Sequence, residues 1–390
     1  MTRYKNIPYG KQYLDRADLE NLQNSLSEEK ITQGRLVEKF EIKLKKYFKT
    51  SDAITCSSGT AALHLAFLAS NLKKNDVVVM PSINFVAAYN LASSMGAKVI
   101  LSDVNDETGQ MTPETLKECI KKHKLNKIKI IVTMYLGGSA ENINEFYNIK
   151  LKYKCILIED ACHAFGSKYI FNKKKIKVGS CKHSDFCCFS LHPIKAITTG
   201  EGGIITTRNK NIGKKIRQFR SHGLIRNRIK YWDYKSDIIG MNYRLSDINC
   251  SIGISQLSKI NLFLKKRTQI SKNYINKFKN LKNYITIPKY EESNYNSWHL
   301  FIVKIEFSKL RQNKDHLIGY LNKFKIYPQF HYKPLYRLKK MSKQLIKKYP
   351  LSETYYKNNI SLPIYVGLTK KDQLFVIKKI QEFINLYKKK

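Results

Sequence analysis

The stretch FSLHPIKAITTGEGG, from Phe189 to Gly203, contains a single lysine, Lys195, among small, hydroxylated and glycine residues. Lysine is abundant almost everywhere else in the chain, so its isolation here indicates a specific role. The apolar run SDFCCFS stands just before this lysine and predicts a buried strand. A lysine that follows such a strand lies at the sheet edge where α/β proteins bind their ligands.

A second apolar run, CILIED, predicts another buried strand and ends in two acids, Glu159 and Asp160. A carboxylate at a strand end often does no more than cap the next helix or turn. With Lys195 at the end of a neighbouring strand, however, Asp160 fits the needs of pyridoxal phosphate. The lysine can form a Schiff base with this cofactor, and the carboxylate can keep the pyridine nitrogen protonated.

The segment SSGTAALHLAF supplies a candidate phosphate site at Gly59 and Thr60. Its Gly-Thr turn opens an apolar helix, and the first backbone N–H groups of a helix have no partner within it, so they can bind an anion. On its own the turn indicates only an ordinary helix cap. Followed by the acidic strand and then by the isolated lysine, it becomes part of a much more specific pattern.

Short β-rich runs alternate with helical patterns in the first part of the chain, as in DAITC before AALHLAFLA and KVILSDV before a helix opened by Pro113. This alternation predicts an α/β fold with a mostly parallel sheet flanked by helices. Beyond this part the pattern is richer in helices, and SWHLFIVKIEF predicts a strand of a separate, smaller sheet. We expect a large domain of residues 1–255 and a smaller C-terminal α+β domain of residues 256–390.

The formal net charge of +41 raises the question of nucleic-acid binding. The lysines are scattered over the whole chain, so the composition predicts neither a nucleic-acid nor a membrane partner. The eight cysteines form no CxxC pair, and the cluster CKHSDFCC fits no zinc spacing, which favours free thiols and no metal. Without an apolar leader or a long apolar run, the expected location is the cytoplasm.

Six segments in order, SSGTAALHLAF, MPSINFVAAYN, IEDACHAFGS, FSLHPIKAITTGEGG, FRSHG and GMNYRLSDINCSIG, resemble the DegT/DnrJ/EryC1 family of nucleotide-sugar aminotransferases. The resemblance covers nearly the whole chain. It implies the fold of a fold type I pyridoxal phosphate-dependent transferase, in which Lys195 carries the cofactor and Asp160 pairs with its pyridine nitrogen.

The same resemblance assigns the remaining cofactor contacts. It implies that Gly59, Thr60 and Ser190 bind the phosphate and that Phe85 stacks on the ring. His163 would lie beside the 3-hydroxyl group, where many relatives carry glutamine. Asn242 would reach the cofactor phosphate of a neighbouring subunit, so the resemblance implies a homodimer with shared active sites; from the residue alone, Asn242 reads as a turn or helix-entry position.

Three further segments bear on the substrate. The His-Pro pair before Lys195 is similar to that of family members that aminate C4 of a 4-keto-6-deoxy sugar. The segments ITQG and PQFHYKPLY resemble those of the pseudaminic-acid branch, which implies L-glutamate as donor and a UDP-linked, N-acetylated 4-keto-6-deoxy-L-hexose as acceptor. The substrate contacts implied are Tyr9, Lys30, Thr32, Gln329, His331 and Tyr332. As a bare pattern, FHYKPLY fits the packing of the small domain equally well.

Other functions remain open at this point. The acceptor could be another nucleotide-linked 4-keto sugar, as in legionaminic-acid or perosamine synthesis. A sugar dehydratase of the same fold resembles cases in which histidine replaces the lysine, so Lys195 argues against it. A non-catalytic regulatory protein would not need Asp160, Ser190 and Lys195 together. A dinucleotide-dependent reductase is disfavoured because GEGG is not GxGxxG.

Overall fold

A computed structural model describes residues 5–227, 229–230, 232–290, 295–338 and 346–388. The strands of this part of the chain are β1 (Ile7–Pro8), β2 (Asp52–Cys56), β3 (Val77–Pro81), β4 (Lys98–Ser102), β5 (Ile130–Met134), β6 (Ile156–Asp160), β7 (Lys168–Phe171), β8 (Lys174–Lys177), β9 (Phe186–Ser190), β10 (Gly203–Thr207), β11 (Leu224–Arg226), β12 (Tyr234–Ser236), β13 (Ile285–Thr286), β14 (Phe301–Ile305), β15 (Ile326–Tyr327) and β16 (Asn359–Leu362). The α-helices are α1 (Arg16–Leu26), α2 (Arg35–Phe48), α3 (Gly59–Ala69), α4 (Val86–Ser94), α5 (Pro113–Lys122), α6 (Ile143–Tyr153), α7 (Lys210–Arg220), α8 (Asp247–Ser258), α9 (Ile260–Phe278), α10 (Phe307–Leu310), α11 (Lys314–Lys323), α12 (Pro350–Asn358) and α13 (Lys370–Tyr387).

The principal sheet has seven strands in the order β2-β10-β9-β6-β5-β3-β4. Only β10 runs against its neighbours, because it pairs antiparallel with both β2 and β9 while the other pairs are parallel. Strands β6 and β9 are adjacent, with Asp160 opposite Cys188. The mostly parallel α/β sheet predicted from the sequence is confirmed, and it brings the two motif-bearing strands side by side.

Helices cover both faces of this sheet. Along β5, Ile131 belongs to the hydrophobic cluster on one face, whereas its neighbours Ile130 and Val132 belong to the cluster on the other. A strand buried on both faces needs apolar residues in succession, which explains the unbroken apolar runs in the sequence. Helix α5 begins at Pro113, as expected, and Thr112 caps it by accepting a hydrogen bond from a backbone N–H of the first turn.

A smaller antiparallel sheet, β13-β14-β16, lies in the C-terminal part of the chain. Helix α9 joins the two cores, because Phe263 packs in the cluster of the large sheet and Tyr274 in that of the small one. Ile7, at the other end of the chain, also packs against the small core, where β1 pairs with β15. Helix α8 spans residue 255, and the division of the chain there stays a prediction.

The eight cysteines are free thiols, and only Cys162 among them is partly exposed. In the described ranges, no group of three or more histidine, cysteine, aspartate or glutamate side chains is arranged to hold a metal ion. None of the helices in these ranges combines the length and the apolar character that crossing a membrane requires.

Candidate active site

A cavity of about 350 Å³ lies at the carboxyl ends of β6 and β9 and at the N-terminus of α3. The predicted site residues that line it are Tyr9, Gly59, Thr60, Phe85, Asp160, His163, Ser190, Lys195, His331 and Tyr332. These residues come from widely separated parts of the chain. Those between Gly59 and Lys195 end or follow strands of the principal sheet, whereas Tyr9, His331 and Tyr332 follow β1 and β15.

Lys195 and Asp160 form the charged centre of the cavity. The turn that carries Lys195 is closed by its own backbone N–H, which donates to the carbonyl of His192 at 2.9 Å. Burial lowers the pKa of Lys195, and the neighbouring Cys162 and Asp160 partly offset that shift. Burial raises the pKa of Asp160, whose carboxylate accepts the backbone N–H of Cys162 at 3.2 Å. Two opposite charges that are both poorly solvated favour each other's charged state.

Glu159, the other acid at the end of β6, is buried but is not part of the cavity lining. Successive residues of a strand point to opposite faces, so only one of the two acids can face the cavity. Burial raises the pKa of Glu159 to about 7. Asp160 is therefore the acid of this strand end that lines the cavity.

The N-terminus of α3 forms a second wall of the cavity. The hydroxyl of Ser58 caps this helix by accepting the N–H of Ala61 at 3.0 Å. Gly59 packs so closely on β9 that a Cβ at residue 59 would lie 2.8 Å from Cβ of Ser190. Backbone N–H groups and the hydroxyls of Thr60 and Ser190 thus surround one corner, which is the donor set that a phosphate group prefers.

Aromatic and imidazole rings form another part of the cavity wall. His163 lies beside Tyr332, with 3.0 Å between Nε2 and the phenol oxygen, and the Phe85 ring centroid is 5.7 Å from that of Tyr332. Nδ1 of His331 is 2.9 Å from the hydroxyl of Ser361. Burial, with the charge of Lys195, holds the pKa of His163 well below its usual value and lowers that of His331 to about 3. Both rings are therefore neutral near neutral pH.

Several residues that the sequence did not single out complete the site. Cys162, His192 and Glu201 also line the cavity. Each lies in the same motif as Asp160 or Lys195, so its closeness in sequence to these residues could have indicated that it belongs to the site. His299 is buried behind the wall, with its ring centroid 4.2 Å from that of His163. It precedes strand β14 of the small sheet, and no sequence pattern relates that strand to the lysine motif.

Four predicted site residues do not line this cavity, and all four are exposed: Lys30, Thr32, Asn242 and Gln329. The backbone of Thr32 pairs with Ser246, four residues after Asn242, so three of them share one surface. A second groove, of about 460 Å³, lies beside that surface and is lined by Gln33 and Arg244 among others. Gln329 pairs through its backbone with Ser361 and precedes the segment that carries His331.

This fold, with a lysine and a carboxylate at adjacent strand ends next to a helix N-terminus, defines the fold type I class of transferases. The chain belongs to the DegT/DnrJ/EryC1/StrS aminotransferase family, whose model matches residues 12–381. The family resemblance stated from the sequence is confirmed.

Three comparisons illustrate the relationship. The chain is 35% identical over 372 residues to a UDP-4-amino-4,6-dideoxy-N-acetyl-beta-L-altrosamine transaminase of Campylobacter jejuni subsp. jejuni serotype O:23/36, covering 95% of each chain. It is 29% identical over 354 residues to the GDP-perosamine synthase of Escherichia coli O157:H7, covering 90% of this chain and 91% of that one. The structure of Helicobacter pylori PseC, an aminotransferase involved in the biosynthesis of pseudoaminic acid, superposes with a TM-score of 0.87 at 25% identity, covering 98% of this chain and 100% of that one.

Proposed function

We propose that the protein is a cytoplasmic, pyridoxal phosphate-dependent aminotransferase that moves an amino group from L-glutamate to C4 of a UDP-linked 4-keto-6-deoxy-N-acetylhexosamine. One observation carries the proposal: Lys195 and Asp160 line the same cavity from adjacent strand ends, next to the open N-terminus of α3. Membership of an aminotransferase family supports the reaction type, and the transaminase from Campylobacter jejuni supports the sugar.

The residues present fit the cofactor. Gly59 lets the helix N-terminus approach Ser190, because a Cβ there would lie 2.8 Å from Cβ of Ser190, and Thr60 and Ser190 add hydroxyl donors for the phosphate. Asp160 would accept the N–H of the protonated pyridine ring, and Phe85, exposed at the start of α4, offers a flat face to stack on it. When bound, pyridoxal phosphate supplies the electron sink through which an amine can be exchanged for a ketone.

Lys195 would hold the cofactor and move the proton at the carbon undergoing exchange. Because burial lowers its pKa, more of its amine is neutral near neutral pH than in an exposed lysine, as a nucleophile and a general base require. Glutamate and the sugar would use the cavity in turn. The side chains of His331, Tyr332 and Tyr9 are neutral and can form hydrogen bonds with the uncharged sugar ring of the substrate. They do so without placing a further cation next to Lys195.

The exposed positions of Lys30, Thr32 and Asn242 support a homodimer with shared active sites. In a symmetric dimer the same surface of both subunits meets, so residues outside a subunit's own cavity can complete the cavity of its partner. We assign Asn242 to the cofactor phosphate and Lys30 and Thr32 to the substrate, each in the partner's cavity. Gln329, two residues before His331 in the chain, is assigned to the substrate of its own subunit's cavity.

The cofactor assignment is tested by chemistry at Lys195. The purified protein should be yellow, and borohydride should abolish the visible absorption and leave a stable cofactor adduct on Lys195, located by mass spectrometry of peptides. Lys195→Ala should give no adduct, whereas Lys182→Ala, which removes an exposed lysine, should leave it unchanged. An adduct on a different lysine, or none in the wild type, contradicts the assignment.

The substrate assignment is tested by comparing acceptors with glutamate saturating. We expect the highest kcat/KM with UDP-2-acetamido-2,6-dideoxy-β-L-arabino-hex-4-ulose. The D-xylo epimer should be poorer by roughly ten- to two-hundredfold, because a misplaced methyl group costs about 1–3 kcal/mol. Faster turnover of the D-xylo sugar, or of a GDP-linked 4-keto sugar of the perosamine type, would assign the enzyme to that sugar instead and leave the roles of Lys195 and Asp160 unchanged.

A further inference from the structure

A short chain of hydrogen bonds runs from the backbone through His163 to the phenol of Tyr332. The N–H of Gly137 lies 3.4 Å from Nδ1 of His163, and Nε2 of the same ring lies 3.0 Å from the Tyr332 oxygen. A backbone N–H can only donate, so Nδ1 must be the accepting nitrogen. The proton of the neutral ring is then on Nε2, which donates to Tyr332.

The direction of this chain fixes where the phenol proton points. Burial holds the pKa of His163 well below its ordinary value, so the ring does not take up a second proton. Burial, with the charge of Asp160 close by, raises the pKa of Tyr332, so the phenol keeps its proton. Because the Tyr332 oxygen already accepts from His163, its own O–H must donate elsewhere. Tyr332 lines the cavity, and that is where an acceptor can be.

His163 has no free ring nitrogen to offer a ligand. Both of its nitrogens are engaged, one by Gly137 and the other by Tyr332. The sequence resemblance implied that His163 would lie beside the cofactor's 3-hydroxyl group; because both of its nitrogens have partners, the phenol of Tyr332 is the neighbouring group with a donor to spare. The histidine then acts through the tyrosine.

We propose that Tyr332 is the neutral hydrogen-bond donor of this cavity to a ligand oxygen that carries or develops negative charge, and that His163 is its positioning residue. The inference rests on the proposed function. Two ligand oxygens share this chemistry: the phenolic oxygen of the cofactor and the keto oxygen of the sugar. A donor that is itself neutral stabilises such an oxygen without a proton transfer, and it costs no reorganisation when the charge appears.

The first arm of the test asks whether the acceptor is the cofactor. Tyr332→Phe keeps the ring and removes the donor. In the loaded enzyme, the pKa read from the absorption spectrum of the lysine-bound cofactor should rise by about one to two units, because a hydrogen bond to the anionic oxygen is lost. Tyr327→Phe, at an exposed tyrosine five residues away, is the control and should leave the titration unchanged.

The second arm asks whether the acceptor is the sugar. If so, Tyr332→Phe leaves the spectral titration unchanged and slows the half-reaction with the keto sugar about 10- to 100-fold, while the half-reaction with glutamate keeps its rate. Either result supports the donor role and identifies the oxygen. If Tyr332→Phe changes neither the titration nor the sugar half-reaction, the inference is wrong.

The positioning role of His163 is separated from a merely structural one by two replacements. His163→Gln can still donate to Tyr332 and should keep the wild-type titration or sugar rate, whereas His163→Leu should reproduce most of the Tyr332→Phe effect. In the double variant His163→Leu/Tyr332→Phe, the change in the cofactor titration or in the sugar half-reaction should be no larger than in Tyr332→Phe alone. Additive losses would show that the two residues act independently.

The outcome also separates this inference from the proposed function. An absent borohydride adduct on wild-type Lys195 overturns the proposed function and the inference with it. An adduct on Lys195 together with an unaffected Tyr332→Phe variant overturns the inference alone.

Discussion

Gly59, the first residue of α3, lies directly against Ser190, the last residue of β9. A Cβ built at Gly59 would be 2.8 Å from Cβ of Ser190 and 3.3 Å from Sγ of Cys162. The first of these distances is shorter than carbon atoms tolerate, and neither Ser190 Cβ nor the strand behind it can swing away. Only glycine therefore allows the helix N-terminus and the serine hydroxyl to face the same corner of the cavity.

Gly59→Ala should move the start of α3 away from β9 and weaken the phosphate site. We expect the free energy of unfolding to fall by about 1–3 kcal/mol, as overpacking a close contact does, and the Kd for pyridoxal phosphate to rise at least tenfold. The measurements are denaturant unfolding and a fluorescence titration with the cofactor.

Gly319→Ala is the matched control for that substitution. Gly319 lies within helix α11 and has nothing within 4 Å of the position of a Cβ. Alanine there should increase the free energy of unfolding by about 0.5–1 kcal/mol through helix propensity and leave cofactor binding unchanged. A Gly59→Ala protein that matches this control in both measurements would contradict the packing argument.

Buried neutral histidines should make the protein sensitive to acid. His331 has a pKa lowered to about 3 by burial and by the charge of Lys195, against about 6.5 in the unfolded chain. Between these values the unfolded state binds a proton that the folded state does not. The free energy of unfolding should therefore fall as the pH drops from about 6.5 towards 3, by about 1.4 kcal/mol per pH unit for this histidine.

His331→Asn isolates that contribution, because asparagine can still hydrogen-bond the hydroxyl of Ser361 and does not titrate. The difference in free energy of unfolding between wild type and variant, measured at half-unit steps from pH 7 to 5, should shrink as the pH falls. A difference that is constant with pH would mean that His331 takes up its proton in the folded protein as readily as in the unfolded chain.

The burial of Lys314 should make the free energy of unfolding depend on pH in the alkaline range. Lys314 is 7% exposed, and its ammonium nitrogen lies 3.9 Å from the ring centroid of Tyr356 and 4.6 Å from that of Phe330. Burial lowers its pKa to about 8. Between about 8 and the unfolded value of about 10.4 the unfolded state binds more protons, so the free energy of unfolding should rise with pH there.

Lys314→Met removes this titration and keeps an unbranched side chain. The wild type should gain stability relative to the variant from pH 8 to 10, by about 1.4 kcal/mol per unit at the steepest point. Lys323→Met, at an exposed lysine of the same helix, should show no such trend. Parallel profiles for wild type and Lys314→Met would contradict the burial argument.

The parts of the site that the sequence predicted are those with a local signature. An apolar strand that ends in Asp160, a helix opened at Gly59 and an isolated Lys195 each leave a pattern within about ten residues, and a parallel sheet must bring such ends to one edge. The resemblance added Tyr9, His331 and Tyr332, which do line the cavity, although FHYKPLY as a bare pattern fitted packing equally well.

The parts that the sequence could not predict depend on tertiary contacts without a local pattern. His299 meets His163 because the small sheet packs behind the cavity wall, and nothing in the residues around it indicates that contact. The engagement of both nitrogens of His163 depends on Gly137 and Tyr332, which are distant in sequence. Likewise, a motif cannot tell whether Thr32 serves its own subunit or another.

The surface that carries Lys30, Thr32 and Asn242 is held together by one buried carboxylate. Asp247 accepts the backbone N–H groups of Gly34, Leu36 and Val37 at 2.7 to 3.2 Å and so ties the start of α2 to the start of α8. The segments before these two helices are thereby presented side by side. If they complete the partner's cavity, they should do so as one unit.

The shared-site arrangement predicts complementation between two defective subunits. The Lys195→Ala subunit has a disabled cavity of its own but keeps Asn242. The Asn242→Ala subunit keeps Lys195 but removes a hydrogen-bond donor from the cofactor phosphate in its partner's cavity, which should weaken cofactor binding there by about 1–3 kcal/mol. In a mixed dimer one cavity then combines both defects, while the other has wild-type Lys195 and receives a wild-type Asn242.

After the two variants are unfolded together and refolded at equal amounts, random pairing puts about half of the chains into mixed dimers, so activity should recover to about a quarter of the wild-type value. The assay is run at a cofactor concentration at which Asn242→Ala alone is mostly unloaded, so that its own dimers contribute little. Lys195→Ala mixed with Lys195→Ala/Asn242→Ala is the matched control and should stay inactive. If Asn242 serves its own subunit, the mixed dimer contains no intact cavity, and the mixture should show only the sum of the two separate activities.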